Sequence, residues 1–176
     1  MPLALVLIRE RHALLGLVAA DAQRLPFAYA SMDVCLCVTV LCHQSIPDPS
    51  VVVAELARVV RPGGVVCLWE PGVRRLRRAH DRETHSARRF ARNDLSSMLT
   101  NAGLTVERSS GAYSFLVPPA AIKSLLERGE SASDLDRNAG GLGGTLPLAA
   151  RGERAILRHV DLPAGLTVFA VGRRPV

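Results

Sequence analysis

The stretch that most limits what this chain can fold into is an unbroken apolar run, Asp33 to Leu41. It leads through Asp48-Pro49 into an amphipathic segment and then, past Pro62-Gly63-Gly64, into a second apolar run, Val65 to Trp69. A Val/Cys/Leu/Thr run without alternation predicts a strand buried on both faces. Asp48 supplies a helix N-cap, and Pro49 a first residue whose fixed φ suits a helix. Val52, Leu56, Val59 and Val60 then share one helical face, with Glu55 and Arg58 on the other. Pro62-Gly63-Gly64 is expected to stop the helix and turn the chain, and Glu70-Pro71-Gly72 to close the second strand. Strand, helix, strand with tight turns is a right-handed crossover between parallel strands. The architecture is therefore α/β.

With 176 residues the chain has room for one domain with a real core, and 48% hydrophobic content excludes a disordered chain. The apolar run Pro2 to Ile8 ends at Arg9-Glu10-Arg11, well short of the ~20 residues that span a bilayer. No basic segment precedes it as in a signal peptide. The sequence thus implies no membrane and a cytoplasmic location. Leu3 to Ile8 is a short strand or a helix turn, and Leu15 to Ala20 is a strand ended by Asp21. Gly72 to Asn93 is rich in arginine, and Asn93-Asp94 caps a helix to about Asn101. A strand follows at Thr105 to Glu107, a helix at Ala120 to Glu127, a glycine-rich loop at Gly129 to Gly144, a short helix at Arg151 to Val160 and a last strand at Leu166 to Gly172.

The formal net charge is +6, but Lys123 is the only lysine. Such arginine bias follows from a GC-rich coding sequence without any partner. Phe90 is the only aromatic residue among the arginines from Arg74 to Arg92, where single-strand binding would need several. Nucleic acid therefore ranks last among partners. Cys35, Cys37, Cys42 and Cys67 are read as reduced thiols packed as small hydrophobes. Cys35-x-Cys37 with Cys42-His43 matches no common zinc spacing, so no metal is expected.

In open α/β sheets ligands sit beyond the carboxyl ends of strands. That rule selects Asp21-Ala22, Cys37 to His43, and Trp69 to Gly72. An Asp at a strand end and the next backbone N–H can read the edge of an adenine; equally, Asp21 can cap the short turn before Leu25-Pro26-Phe27. His43 is the first candidate for a base, with packing in its loop as the alternative, and His85 and Glu70 follow. The arginine segment could hold a phosphate-bearing substrate, or be a solvated face paired with Asp81 and Glu83. Gly140 to Gly144 lacks a preceding strand and a Lys-Ser/Thr end, and is read as lid.

In order and spacing, Asp21-Ala22 before Leu25-Pro26-Phe27, Met32-Asp33-Val34, Cys37-Val38-Thr39, Leu41-Cys42-His43 and Asp48-Pro49 through Arg61-Pro62-Gly63-Gly64 resemble a class I S-adenosylmethionine-dependent methyltransferase of the common small-molecule (type 11-like) kind. The likeness is strong over about residues 17 to 70. It continues more weakly from His85-Ser86-Ala87-Arg88-Arg89-Phe90 through Ala102-Gly103-Leu104 to the last strand. The resemblance implies a partial Rossmann-like methyltransferase sheet, S-adenosyl-L-methionine as cofactor and a small-molecule substrate. It implies Asp21 and Ala22 at the adenine and Cys37 and Val38 at the methionine part; His43, just past the strand end, is the catalytic candidate. Glu70, His85 and Arg89 fall on the substrate side.

One departure stands at the start. Neither the family's glycine-rich turn nor the acidic end of its second strand is found. The expectation is a single incomplete domain over 1–176: a cofactor-side core at 15–72, a substrate and lid region at 73–160, and a last strand and tail at 161–176. Such a chain reads as N-terminally truncated, impaired in catalysis and poorly stable alone, with an apolar edge on the Asp33 strand. The competing readings are a non-catalytic remnant completed by a partner chain or a homo-oligomer, and an RNA-binding protein.

Overall fold

The computed structural model describes residues 16, 18–74, 76, 85–126 and 145–176. The expectations at Leu3 to Ile8, Gly129 to Gly144, Arg75, Arg77, Arg78, Asp81, Arg82 and Glu83 lie outside them. In chain order the elements are strand β1 (Met32–Val38), helix α1 (Pro49–Val59), strand β2 (Val60–Pro71), helix α2 (Arg92–Asn101), strand β3 (Thr105–Ala112), a 3-10 turn (Ser114–Leu116), helices α3 (Val117–Leu126) and α4 (Thr145–Ile156), and strand β4 (Thr167–Arg173). The sheet order is β1-β2-β4-β3. β1 and β2 are parallel, as the crossover requires, and β4 is antiparallel to both of its neighbours.

α1 starts as its sequence predicts: the Asp48 side chain accepts the Ser50 N–H at 2.9 Å, and Pro49 follows it. At the other end, the Arg174 guanidinium donates to the carbonyls of Ala57, Arg58 and Val60 at 3.0, 3.2 and 2.7 Å. This cation satisfies carbonyls that a helix end leaves without partners. The expected turn at Pro62-Gly63-Gly64 is corrected: these residues lie within β2 as a bulge. The register moves from Met32 opposite Val60 to Val34 opposite Val65. Gly63 takes φ +75, and a Cβ on Gly64 would lie 2.7 Å from the Asp33 carbonyl oxygen. A bulge with a positive φ and a close backbone approach is what the two glycines make available.

One face of the sheet carries the core. Cys35, Cys37, Val66, Leu68, Val168 and Ala170 pack with Val52, Val53 and Leu56 of α1 and Leu95 and Leu99 of α2 in one buried cluster. The other face carries the rows Val38-Trp69-Phe169 and Leu36-Cys67-Val171. Trp69 and Phe169 stack there at 5.4 Å between ring centroids. The expectation that the first run is buried on both faces is corrected. Val34 and Leu36 are 63% and 66% exposed, and among the described residues nothing covers them. Among the described residues β1 is an outer strand of the sheet, with the apolar edge expected of it.

Other boundaries moved for local reasons. The expected strand at Leu15 to Ala20 is not formed by residues 18–20; Asp21 instead bridges Arg24 in a tight turn. α2 begins at Arg92, ahead of the expected Asn93-Asp94 cap, because the Asp94 carboxylate reaches back to the Ala91 N–H at 2.7 Å. β3 runs to Ala112, well past Glu107, and α4 lies earlier than Arg151 to Val160. Among the described residues no helix is long and apolar enough to cross a membrane.

Candidate active site

A cleft of about 530 Å³ opens beyond the carboxyl end of β1. The turn 20–23 forms one wall, and Thr39, Val40, His43 and Ile46 form the other. Its size is that of a small-molecule site. Both walls are built by local chemistry that can be followed residue by residue.

The first wall is an Asx turn. Asp21 Oδ1 accepts the Gln23 N–H at 2.9 Å, and the Arg24 N–H donates to the Asp21 carbonyl at 3.0 Å. The turn-capping alternative for Asp21 is thus realised, and Asp21 and Ala22 both line the cleft. The chain that follows is held by two residues that the sequence pattern assigned to the helix face away from the apolar stripe. Glu55 accepts the Leu25 N–H at 2.8 Å and pairs with Arg58 at 2.7 Å. Arg58 in turn donates to the Leu25 and Phe27 carbonyls at 3.2 and 2.9 Å. The Arg58 guanidinium holds the Glu55 carboxyl below its ordinary value. A charged i,i+3 pair on a helix looks solvated from sequence; here it clamps Leu25-Pro26-Phe27.

The second wall begins where β1 ends. Thr39 takes φ +52, and residues just past β2 and β3, Val73 and Tyr113, take φ +56 as well. Left-handed backbone is costly for a residue with a Cβ, of order 1–2 kcal/mol, and it clusters at sites where the surroundings enforce it. At Thr39 the enforcing group is Glu70. Its carboxylate is fully buried and accepts the N–H groups of Val40, Leu41 and Cys42 at 3.1, 2.9 and 3.1 Å. Burial pushes the Glu70 carboxyl up, and these amides pull the other way. Burial likewise lifts the thiols of Cys37 and Cys42, to about 12 and about 11.

His43 lines the cleft and is oriented by Ser45, whose N–H and hydroxyl meet Nδ1 at 3.1 and 2.7 Å. An amide that donates to Nδ1 assigns the ring proton of neutral His43 to Nε2. His85 comes beside it, with ring centroids 5.9 Å apart, because segments 42–44 and 85–87 pair: the Gln44 N–H donates to the His85 carbonyl and the Ala87 N–H to the Cys42 carbonyl.

The structure therefore brings together Asp21, Ala22, His43 and His85. It does not bring the rest. Cys37 points into the core and Val38 onto the open sheet face, and neither lines the cleft; the next two residues, Thr39 and Val40, do. The strand ends three residues earlier than its apolar run. Glu70 lies beneath the cleft wall, so a substrate contact by its carboxylate is corrected to a contact with the loop backbone. The half-buried Arg89 donates, among other contacts, to the Gly72 carbonyl at 3.0 Å. Ser45 was missed, although a Ser two residues after a candidate His is a signal that could have found it. The four cysteines are free thiols, and among the described residues no group of three His, Cys, Asp or Glu could hold a metal ion.

Residues 3–68 match the model of a methyltransferase domain family. The thiol S-methyltransferase TMT1B of Homo sapiens is 45% identical over 53 residues, which is 30% of this chain and 21% of that protein. The Mus musculus protein of the same name is 43% identical over 54 residues, 31% of this chain and 21% of its own. These matches thus span about a fifth of the curated relatives' length. Among solved structures, the [4+2]-cyclase SpnF superposes with a TM-score of 0.58 at 22% identity, over 98% of this chain and 62% of that one. The Haemonchus contortus phosphoethanolamine N-methyltransferase 2, in complex with S-adenosyl-L-methionine, does so with a TM-score of 0.51 at 13% identity, over 89% and 36%. At such identities the likeness shows the fold alone, and a cyclase among the neighbours shows how little the fold says about the reaction. The domain match at 3–68 and this Rossmann-like α/β sheet together support a class I S-adenosylmethionine-dependent methyltransferase.

Proposed function

We infer that the cleft beyond β1 takes S-adenosylmethionine and that the chain serves methyl transfer to a small-molecule nucleophile. The observation that carries this is the meeting of the Asp21-Ala22 turn and the Thr39 to Ile46 loop across one cleft of cofactor size. The adenine end fits: the Asp21 carboxylate is an acceptor for the exocyclic amine and the Ala22 N–H a donor for the neighbouring ring nitrogen. Thr39 and Val40 take the place expected of Cys37 and Val38 along the methionine part. When bound, the sulfonium supplies an activated methyl group, and the protein's part is to orient the acceptor and exclude water.

His43 suits orientation better than proton removal. Its Nδ1 receives the Ser45 amide, so Nε2 presents a hydrogen-bond donor to a ligand. That favours an acceptor that ionises by itself over one that needs a base. The thiol S-methyltransferases matched above make a small thiol the first acceptor to try. His85 and Arg89 stand on the acceptor side.

Titration calorimetry of S-adenosylhomocysteine tests the reading. The wild type is expected to bind, and Asp21→Ala to lose about tenfold or more in affinity, the loss of one hydrogen bond to a charged group. A wild type without binding sinks the cofactor assignment. The exposed row Val34, Leu36 and Val38 supports a second reading, in which a partner chain or a second copy covers that face before the site is competent. Binding that rises with protein concentration separates the two.

A further inference from the structure

Glu70 sits near the end of β2, opposite Val168 of β4, with no exposed surface. A buried ionised carboxylate needs partners to persist, so the identity of those partners says what it is for. The β1–β2 ladder ends with the Thr39 N–H on the Trp69 carbonyl at 2.8 Å. The next three N–H groups, of Val40, Leu41 and Cys42, all converge on Glu70. Three consecutive amides aimed at one anion form a concave nest. The left-handed Thr39 is what turns them inward, and a β-branched residue does not keep that conformation unaided.

We propose that Glu70 is the positioning residue of the cleft: by gathering the amides of Val40, Leu41 and Cys42 onto one buried carboxylate, it sets where Thr39, Val40 and His43 stand against the Asp21 turn. The role rests on the methyl-donor reading of that cleft. The side-chain chemistry is specific. Oε1 takes two amides and Oε2 the third. Glutamine would set an NH₂ against the Cys42 N–H, and aspartate is a methylene too short to reach.

The test compares wild type, Glu70→Gln and Val168→Ala by amide hydrogen exchange and by calorimetry with S-adenosylhomocysteine. Val168→Ala weakens the same part of the core and leaves the carboxylate and its three amides in place. In Glu70→Gln, exchange at Val40 to Cys42 is expected to accelerate about tenfold and the dissociation constant to rise about tenfold. Val168→Ala is expected to lower global stability and leave both readouts alone. If both readouts in Glu70→Gln merely follow those of Val168→Ala, Glu70 is a core residue and the proposal fails. Should Glu70→Gln not fold, the wild type decides: its three amides are expected to be protected, and exchange at open-turn rates overturns the proposal. A wild type with protected amides and no affinity for S-adenosylhomocysteine overturns the methyl-donor reading instead, leaving a held loop without that use.

Discussion

Two leucines five residues apart make a direct test of the sheet's asymmetry. Leu41 is fully buried in the loop that walls the cleft, whereas Leu36 is 66% exposed on the open face. Fully burying a leucine is worth about 1.5–3 kcal/mol, and removal from a closed site adds a cavity term that brings Leu→Ala to about 3–5 kcal/mol. Leu41→Ala is therefore expected to cost about 3 kcal/mol or more. Leu36 has about a third of its surface out of water and no enclosing wall, so Leu36→Ala is expected to cost about 1 kcal/mol or less. Urea unfolding of wild type and both variants, analysed with a common slope, resolves a difference of this size. Losses within about 1 kcal/mol of each other would refute the reasoning. They would mean that the face bearing Val34, Leu36 and Val38 is covered in solution by a part of this chain or by a second copy.

Two further outcomes follow from the walls of the cleft. Glu55→Ala and Arg58→Ala each unclamp Leu25-Pro26-Phe27, and each is expected to weaken S-adenosylhomocysteine binding about tenfold, with the double variant no worse than either single; additive losses in calorimetry would show the two acting separately. The Cys37 and Cys42 thiols keep their protons to about pH 12 and about pH 11 in the folded state, against an ordinary 9.0. Above pH 9 the unfolded chain therefore binds fewer protons than the folded one, and stability falls as pH rises toward 11, by up to about 1.4 kcal/mol per thiol per pH unit. Urea midpoints measured from about pH 8 to pH 10 should decline. Cys37→Ala, which removes one of those protons, should flatten the decline.

Much of the central unit was legible because its signals are local. The Asp48-Pro49 cap, the stripe Val52, Leu56 and Val59, and the apolar run ending at Trp69 each lie within a few residues of the element they specify. The resemblance likewise pointed to the Asp21-Ala22 turn and to the loop that carries His43, which stand on the two walls of one cleft. What escaped was set by partners far away in sequence. Thr39 leaves the strand early because Glu70, 31 residues on, draws the next amides inward. Glu55 and Arg58 look solvated until the Leu25 to Phe27 segment is laid across them. Alternation in burial along β1 was hidden because its sequence is apolar without a break from Val34 to Val38, so only the absence of cover on one side reveals it.

The position of β4 between β2 and β3 sets an order of events during synthesis. Among the described residues, 167–173 form the one strand that joins a pair of strands, β1 and β2, to a third strand, β3, all made before them. Until that stretch leaves the ribosome, the inner edge of β2 and the edge of β3 that β4 will occupy both stand unpaired, and neither can satisfy the other across the gap. A nascent chain in that state presents two adhesive borders at once, which is when chaperone capture or misassociation competes with folding. A frameshift or stop codon just ahead of Thr167 would therefore do more than shorten the sheet: it would leave it in two pieces.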